Sequence, residues 1–445
     1  MLSRVGFVFL MALPCVIVTG SSSDTPKNAE TLVAHLGGTI TYIATKDAPP
    51  DSTSTLIDTI NLRSTPTTDQ HLVALMCLLR DMPAPRSIYI DNTLITDNGL
   101  SSVSWPDLYA LSLSGTTVSD RGVQGLIASC PNLRQLDLSF TGLSNASASL
   151  LANLTHLSHL RLVGLPLSDD ALSFLVNTCT LEELDLSRYP AADRQADIYL
   201  TDRALQHLRN LKCLRRLSLR SSRVSADGIS KLSQLPALAV LDLGSTSIDD
   251  AAILCLRSLP LEQLILSHTN VSDAGARHLS DLSRLQKLDL SGTKVSDASI
   301  RHLARCPNLR SLYLCNTNIR FLNSPEQTVV PMQLEYLALD DLPIGDDSLR
   351  WIGKLVSLRG LRLTATQVTD HGIGSLQLPH LTFIDLGMTA VGDDGIRSLL
   401  ERHPALQQVS ILESAITDVG RELLTKNGVE VSDSFFSFPD QDPIK

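Results

Sequence analysis

The chain has 445 residues, of which 43% are hydrophobic and 4% aromatic, and its formal net charge is −10. This acidic balance argues against a general nucleic-acid binder or a protein that binds anionic membranes, because both carry a basic surface. One of the eight cysteines, Cys15, lies in an apolar N-terminal run, and the odd seven that remain do not fit the even disulfide framework of a small secreted domain.

The first twenty residues have the form of a secretory signal peptide. Arg4 precedes an apolar run from Val5 to Val18, and small residues follow it before Ser21. The run is too short for a comfortable membrane span. The sequence therefore predicts a leader at 1–20, export to the periplasm, the cell envelope or the outside, and no integral membrane segment after the leader.

Residues 21–55 are predicted to be a linker and capping segment, 56–430 a repeat domain, and 431–445 a C-terminal tail. The repeated phrase is Leu-x-x-Leu-x-Leu-x-x-Thr-x-Val/Ile-Ser/Thr-Asp, and two degenerate copies lie around Ile60 and Ile88. The clear copies recur roughly every 24 residues, a period typical of leucine-rich repeats. They begin at Leu108, Leu133, Leu157, Leu181, Leu214, Leu238, Leu261, Leu285, Leu309, Leu334, Leu358, Leu381 and Leu406.

Each copy changes its apolar period partway through. Leu288 and Leu290 alternate as in a strand, and Ile300 and Leu303 then follow helical spacing. One strand-helix coil cannot bury its leucines alone, so neighbouring coils must stack. The sequence predicts an α/β solenoid, a curved right-handed coil of about 15 repeats, with parallel strands on the concave face and helices on the convex face.

Polar residues recur where each strand hands over to its helix. We expect the hydroxyls of a recurrent threonine to satisfy backbone groups that the turn leaves unpaired. These threonines are Thr116, Thr141, Thr246, Thr269, Thr293, Thr317, Thr366 and Thr389. The Ser/Thr-Asp pairs that follow, such as Ser119-Asp120 and Ser296-Asp297, are interpreted as helix caps without catalytic chemistry.

Three cysteines, Cys130, Cys179 and Cys306, lie just before a repeat begins, and we expect them to be small buried hydrophobic residues. A disulfide between Cys130 and Cys179 is not expected, because two repeats separate them. Cys179 and Cys213 lie in adjacent repeats, so a bridge between them stays open.

Two repeats depart from the pattern. An insertion of residues 188–199 lengthens one of them, and its candidate binding residues are Arg188, Tyr189, Arg194 and Tyr199. In the other, residues 321–331 carry two prolines and are expected to form an irregular convex segment.

The phrase that begins at Leu285 and the Cys-Pro-Asn-Leu junctions resemble the cysteine-containing subclass of leucine-rich repeat proteins, which includes F-box substrate receptors and many exported bacterial proteins. The segment from Leu32 to Tyr42 looks like the cap that opens the exported bacterial members. This resemblance implies the solenoid fold. It leaves a ubiquitin-ligase adaptor as an alternative function, although no F-box precedes the repeats.

The sequence offers little catalytic or metal-binding chemistry. Asp137, Arg161 and Asp185 alternate in sign on successive strands and are interpreted as a surface ion-pair ladder. An intervening strand separates the aspartates of this column by about 10 Å, which is too far for them to surround one metal ion. His159 beside Asp137 leaves an enzyme acting on an extracellular polymer as a second alternative.

The favoured prediction is a non-catalytic, monomeric scaffold that binds another protein on the concave face of the solenoid. No cofactor, metal or nucleic acid is expected. Tyr and Arg are frequent at interface hot spots. The candidate partner-binding residues are Arg161, Arg216, Arg220, Tyr313, Tyr336, Arg362, Phe383 and Asp385. For the aromatic members, an equally open interpretation is that they fill gaps beside Ala338 and Gly360.

Overall fold

The computed structural model describes residues 25–44, 55–80, 82–102, 104–188, 199–321 and 333–434. Within these ranges the chain winds in successive coils of one short strand, a turn and a helical segment. The strands are β1 (Thr39–Ala44), β2 (Thr55–Asn61), β3 (Ser87–Tyr89), β4 (Ala110–Ser112), β5 (Gln135–Asp137), β6 (His159–Arg161), β7 (Glu183–Asp185), β8 (Arg216–Ser218), β9 (Val240–Asp242), β10 (Gln263–Ile265), β11 (Lys287–Asp289), β12 (Ser311–Tyr313), β13 (Tyr336–Ala338), β14 (Gly360–Arg362), β15 (Phe383–Asp385), β16 (Gln408–Ser410) and β17 (Glu430–Ser432).

The helical segments are short and vary in type. The α-helices are α1 (Thr25–His35), α2 (Asp69–Leu78), α3 (Asp97–Ser101), α4 (Asp120–Ser129), α5 (Asn145–Ala148), α6 (Ala226–Ser230), α7 (Asp250–Leu256), α8 (Asp273–Ala276), α9 (Asp297–Leu303), α10 (Asp346–Ile352), α11 (Asp370–Ser375), α12 (Asp393–Arg402) and α13 (Asp418–Lys426). Segments of 3₁₀ helix cover Ser149–Asn153, Asp169–Asn177, Ala204–Asn210, Lys231–Gln234 and Leu279–Asp281. No helix within the described ranges is long and apolar enough to cross a membrane.

The strands form one sheet in chain order. β1 pairs antiparallel with β2, and from β2 to β17 each strand pairs in parallel with the next. Strands pack about 4.8 Å apart, whereas helices are about 10 Å wide, so a stack with helices on one side curves toward its strands. The predicted α/β solenoid is confirmed.

The expected role of the turn threonines is confirmed at every position. All eight hydroxyls donate to the carbonyl oxygen of the leucine three residues earlier, at 2.6–2.7 Å. The residue before each threonine has a positive φ, as at Gly115 (70°) and Gly292 (67°). A left-handed residue followed by a threonine therefore closes each of these turns.

The Ser/Thr-Asp pairs have a second role that the sequence did not indicate. The hydroxyl caps its own helix, as when Ser119 Oγ accepts from the Arg121 N–H at 3.4 Å. The aspartate contacts the next coil: Asp120 accepts from the N–H of Ser144 at 2.8 Å and from its hydroxyl at 2.6 Å. The same pair of bonds joins Asp69 to Thr96, Asp97 to Ser119, Asp169 to Thr201, Asp202 to Ser225, Asp250 to Ser272, Asp273 to Ser296, Asp346 to Thr369 and Asp393 to Thr417.

These contacts form a ladder of carboxylates along the solenoid, which we call the aspartate ladder. Burial would raise the pKa of Asp273, but hydrogen bonds from Ser296 and Ser299 outweigh it and hold that pKa below its usual range. The Asp273 carboxylate is thus favoured as the ionised form, which accepts several hydrogen bonds at once.

The junction cysteines divide into two groups. Cys130 and Cys306 are buried as expected, and burial raises their thiol pKa values to about 11 and about 12. The prediction that Cys179 is buried is wrong, because Thr178 takes the buried position three residues before Leu181 and leaves Cys179 exposed. All cysteines of the described ranges are free thiols.

Several segments singled out in the sequence lie outside the described ranges. The leader, most of the insertion and residues 322–332 lie outside them, as do residues 435–445. β17 pairs with β16, so the sheet includes residues 431 and 432, which the sequence assigned to the tail.

Candidate binding face

The strands project two side chains each toward the concave side. The middle residue, for example Leu136 or Leu160, is buried in the core between strands and helices. The first and third residues line the concave face, and the in-register pairing aligns them in columns. Asp137, Arg161 and Asp185 are thus adjacent in one column.

The column aspartates have a local structural role. The Oδ1 atoms of Asp137, Asp242 and Asp289 each accept from the backbone N–H two residues further on at 2.8 Å, and that of Asp385 does so at 2.9 Å. A carboxylate at the strand end therefore closes the turn, in the manner of an Asx turn. This role accounts for the repeated Leu-Asp-Leu phrase without a ligand.

Arg161 lies between Asp137 and Asp185 in this column, and its charge opposes the rise in the pKa of each carboxyl group. The expected surface ion-pair ladder stays a prediction. Arg161 lies 3.6 Å from a carboxylate oxygen of Glu183, which belongs to the neighbouring column. Asp185 is buried, and burial raises its pKa, against the opposing effect of its hydrogen bonds with Ser187 and the charge of Arg161. Asp137 and Asp289 are half-buried on the same face, and burial also raises the pKa values of both carboxyl groups.

An open cavity of about 230 Å³ lies over β2–β7 on the concave face, and we call it the N-terminal pocket. Its polar lining comprises Arg63, Tyr89, Ser112, Gln135, Asp137, His159, Arg161 and Glu183. The guanidinium of Arg63 lies 4.1 Å from the centre of the Tyr89 ring and pairs with Asp91. The sequence analysis did not identify Arg63 and Tyr89 as candidate binding residues, because their repeats are degenerate. Aligning these two repeats with β4 and β5 would have placed both residues on the concave face.

His159 and Asp137 are the residues on which the alternative of an enzyme acting on an extracellular polymer depends. Both lie in the N-terminal pocket. Nδ1 of His159 lies 2.8 Å from the hydroxyl of the adjacent Ser158, while Asp137 closes its own turn through the N–H of Ser139. Each side chain is therefore engaged by its own strand. In the ranges that the structure describes, no group of three His, Cys, Asp or Glu side chains could hold a metal ion.

The predicted basic patch of Arg161, Arg216 and Arg220 is interleaved with acids. Arg216 is in register with Glu183 on the neighbouring strand. Nε of Arg220 lies 3.0 Å from Asp242, and its guanidinium packs over Gly244, where an added Cβ would collide with it. The three arginines share one region of the concave face, but the ion pairs make that region mixed in charge.

The expectation that Tyr313 and Phe383 are exposed is wrong. They form a small cluster with Ala338, in which Tyr313 is 5% and Phe383 6% exposed. Tyr336 is half-buried and packs against this cluster. The structure therefore favours the gap-filling interpretation for Tyr313 and Phe383, whose rings cover the space beside the small Ala338 side chain.

Arg362 and Asp385 are also packed against their neighbours and expose little surface to a partner. Arg362 pairs with Asp340, and its side chain is 15% exposed. Asp385 is fully buried, so the expectation that it is accessible on the concave face is wrong. Of the candidates in the C-terminal half, Tyr336 retains the accessible surface that a direct contact requires.

The two described ends of the insertion meet. The guanidinium of Arg188 lies 4.9 Å from the ring centre of Tyr199, and that of Arg223 lies 4.0 Å from the same ring. Cation–π contacts of this kind stabilise by about 0.5–1 kcal/mol at exposed sites. Tyr189 and Arg194 lie outside the described residues, and their predicted binding role stays a prediction.

Comparisons with known proteins identify the repeat. Sequence profiles described as leucine rich repeat match residues 259–319, and 129–152 with 377–400. No curated protein gives a significant match.

Solved structures share the fold at low sequence identity. An internalin (inlF) from Listeria monocytogenes is 18% identical, with 92% of this chain and 95% of that chain covered and a TM-score of 0.50. A TLR13–ssRNA13 complex is 19% identical, with 80% of this chain and 54% of that chain covered and a TM-score of 0.51. The yeast Rad7–Elc1 complex is 21% identical, with 76% of this chain and 84% of that chain covered and a TM-score of 0.49.

Proposed function

We propose that this leucine-rich repeat protein is a non-catalytic scaffold that binds a protein partner on its concave face. The N-terminal pocket carries this proposal. It combines an open cavity with charged side chains that their neighbours already hold in place, as in the Arg161–Glu183 and Arg63–Asp91 pairs. Side chains ordered before binding lose less conformational entropy when a partner docks, which favours affinity.

The mixed charge of the face indicates a partner with both acidic and basic groups. Arg161 keeps 31% of its side chain exposed, and Arg216 and Tyr336 are half-buried. Tyrosine and arginine bury large areas and retain polar contacts, so they are frequent hot spots. These three residues span the face from the pocket to the aromatic cluster.

A triple variant tests the proposal: Arg161→Gln, Arg216→Gln and Tyr336→Ala. Glutamine keeps a donor for Glu183 while it removes the charge. A matched convex-side variant carries Arg257→Gln, Arg301→Gln and Leu254→Ala, all at exposed positions. Proteins of the host that bind the immobilised wild-type chain are identified by mass spectrometry, and their affinities for both variants are measured.

We expect the concave variant to bind the specific partner at least about 10-fold more weakly, since single hot-spot truncations cost about 1–2 kcal/mol or more. The convex variant is expected to match the wild type. Equal binding by the concave variant and the wild type, with both folded, contradicts a concave-face site.

We also infer that the protein is exported, on the basis of the apolar run from Val5 to Val18 and the small residues after it. The expected mature chain lacks about the first twenty residues and is found outside the cytosol. Cell fractionation and intact-mass measurement in the native host check this. A full-length chain in the cytosol contradicts export and favours the adaptor alternative.

A further inference from the structure

Two exposed cysteines stand at the start of neighbouring coils. Cys179 lies two residues before Leu181, and Cys213 lies one residue before Leu214, the equivalent leucine of the next coil. β7 and β8 pair in parallel with Glu183 opposite Arg216. This register places Cys213 opposite Thr180, one residue from Cys179.

Equivalent positions in two other coils indicate the direction of the Cys213 side chain. Thr180, one residue before its leucine, donates through Oγ1 to the carbonyl oxygens of Leu157 at 2.7 Å and of Thr155 at 3.2 Å. Asn308, at the same position in a later coil, donates through Nδ2 to the carbonyl of Ser283 at 2.7 Å. Both side chains reach the backbone carbonyl of the residue that lies two places before the leucine of the preceding coil. For Cys213 that residue is Cys179.

The spacing suits a covalent bridge. Neighbouring strands lie about 4.8 Å apart, and an offset of one residue adds about 3.4 Å along the strand, which gives a Cα separation of about 6 Å. Disulfides join Cα atoms about 4.4–6.8 Å apart. Both thiols are exposed, so an oxidant can reach them.

We propose that Cys179 and Cys213 form an intramolecular disulfide when the protein meets a small-molecule disulfide such as glutathione disulfide. The thiolate of one cysteine attacks the small disulfide, forms a mixed disulfide and releases one glutathione thiolate. The second cysteine then attacks the protein sulfur of the mixed disulfide and releases the other glutathione. The two protein thiols lose two electrons and two protons, and glutathione disulfide is reduced to two thiols.

The other thiols of the described ranges do not compete for this bridge. Cys255 lies on α7, in a later coil, where its thiol donates to the carbonyl oxygen of Ala251 at 3.7 Å. Cys130 and Cys306 are buried, as described above, and burial also raises the pKa of Cys315 to about 12, so few of these thiols ionise. Cys77 is exposed, but it belongs to the coil of β2, and the five strand steps to β7 amount to about 24 Å.

The bridge encloses the repeat that carries the insertion. The closed loop from Cys179 to Cys213 contains Arg188 and Tyr199, whose contact marks the two ends of the insertion. Closing a loop of this length restricts the unfolded chain, so the cross-link stabilises these coils against unfolding.

The test uses the full purified chain, oxidised with glutathione disulfide under native conditions and digested with trypsin without reduction. We expect peptide 162–188 linked to peptide 213–215, and an intact single chain lighter by two hydrogens. The melting temperature of the oxidised protein is expected to exceed that of the reduced protein by about 5 °C.

Cys213→Ser is expected to abolish both the linked peptide and the melting shift, and the matched variant Cys77→Ser to keep both. The proposal is overturned if native oxidation leaves peptides 162–188 and 213–215 unlinked while Cys77 is glutathionylated. It is equally overturned if the link forms only after the chain has been unfolded in urea.

Discussion

Replacing Gly372 by alanine is expected to destabilise the C-terminal coils by about 2–3 kcal/mol, although alanine ordinarily stabilises a helix relative to glycine by about 1 kcal/mol. Gly372 is the third residue of α11, and a Cβ there would lie within 3.0 Å of Oδ1 of Asp346. That oxygen accepts from the N–H of Thr369 at 2.9 Å, and Oδ2 accepts from the Thr369 hydroxyl at 2.7 Å. The methyl group must displace the carboxylate and weaken both bonds of the aspartate ladder.

The same helix supplies a matched control. An added Cβ at Gly374 would meet Oγ of Ser398 at 3.5 Å, an ordinary contact distance. Gly374→Ala is therefore expected to be neutral or stabilising by up to about 1 kcal/mol. Urea unfolding, together with hydrogen exchange of peptides from α10 and α11, measures both changes.

A double-mutant cycle assigns the cause. In an Asp346→Ala background the colliding oxygen is gone, so Gly372→Ala is expected to cost about 2 kcal/mol less than it does in the wild type. Additive effects of the two substitutions contradict the proposed collision. Equal stabilities of Gly372→Ala and Gly374→Ala would also show that the ladder tolerates a side chain at this position.

Lowering the pH below about 6.5 is expected to weaken the last coils through His403, by up to about 1.4 kcal/mol per pH unit. This side chain is 1% exposed. Its Nε2 accepts from the Leu378 N–H at 3.2 Å, and its Nδ1 lies 2.9 Å from the carbonyl oxygen of Leu399, to which the neutral ring donates. Protonation would place a donor on Nε2 opposite the N–H of Leu378, and burial lowers the pKa of His403.

The sign of the pH dependence follows from the lowered pKa of His403. Because the folded pKa lies below the unfolded pKa, the unfolded chain binds more protons in the interval between them, and stability rises with pH across it. The contribution of His403 is complete above the unfolded pKa and is lost as the pH falls toward the folded pKa. Hydrogen exchange of peptides spanning 378–410 at pH 7.5 and pH 5.5 measures this loss locally.

The chain provides a substitution for the control. His403 precedes its repeat at the position that Cys130 and Cys306 occupy in other coils, and the thiol of Cys130 accepts from the Trp105 N–H in the same way. His403→Cys is expected to remove the difference in protection between the two pH values in peptides 378–410. If the pH dependence of these peptides persists in His403→Cys, another group is responsible.

The sequence was informative wherever one residue type serves one local backbone geometry. The turn threonines illustrate this, because Thr116 needs only the carbonyl of Leu113, three residues away, and both lie within one repeat. The buried positions of Cys130 and Cys306 followed equally from their place before the leucine. The failure at Cys179 came from an offset of one residue, since Thr178 fills the equivalent buried position.

Contacts between coils were harder to anticipate. Ser119-Asp120 reads as a simple cap, yet the Asp120 carboxylate binds Ser144 in the next coil. The glycine at the third helical position, as at Gly372, looks like a weak helix former until the approaching carboxylate of Asp346 is seen. The distances that decide both roles join residues more than twenty positions apart.

The sequence by itself determined the α/β coil, its strand-turn-helix order and the turn chemistry, because each depends on interactions inside one period of about 24 residues. Only the tertiary structure decided which concave side chains are accessible. Strands stack about 4.8 Å apart, closer than the width of an aromatic ring or a guanidinium group, so each large side chain covers its neighbour's position. Tyr313, Phe383 and Asp385 are buried for that reason, while Arg161 and Tyr336 keep accessible surface.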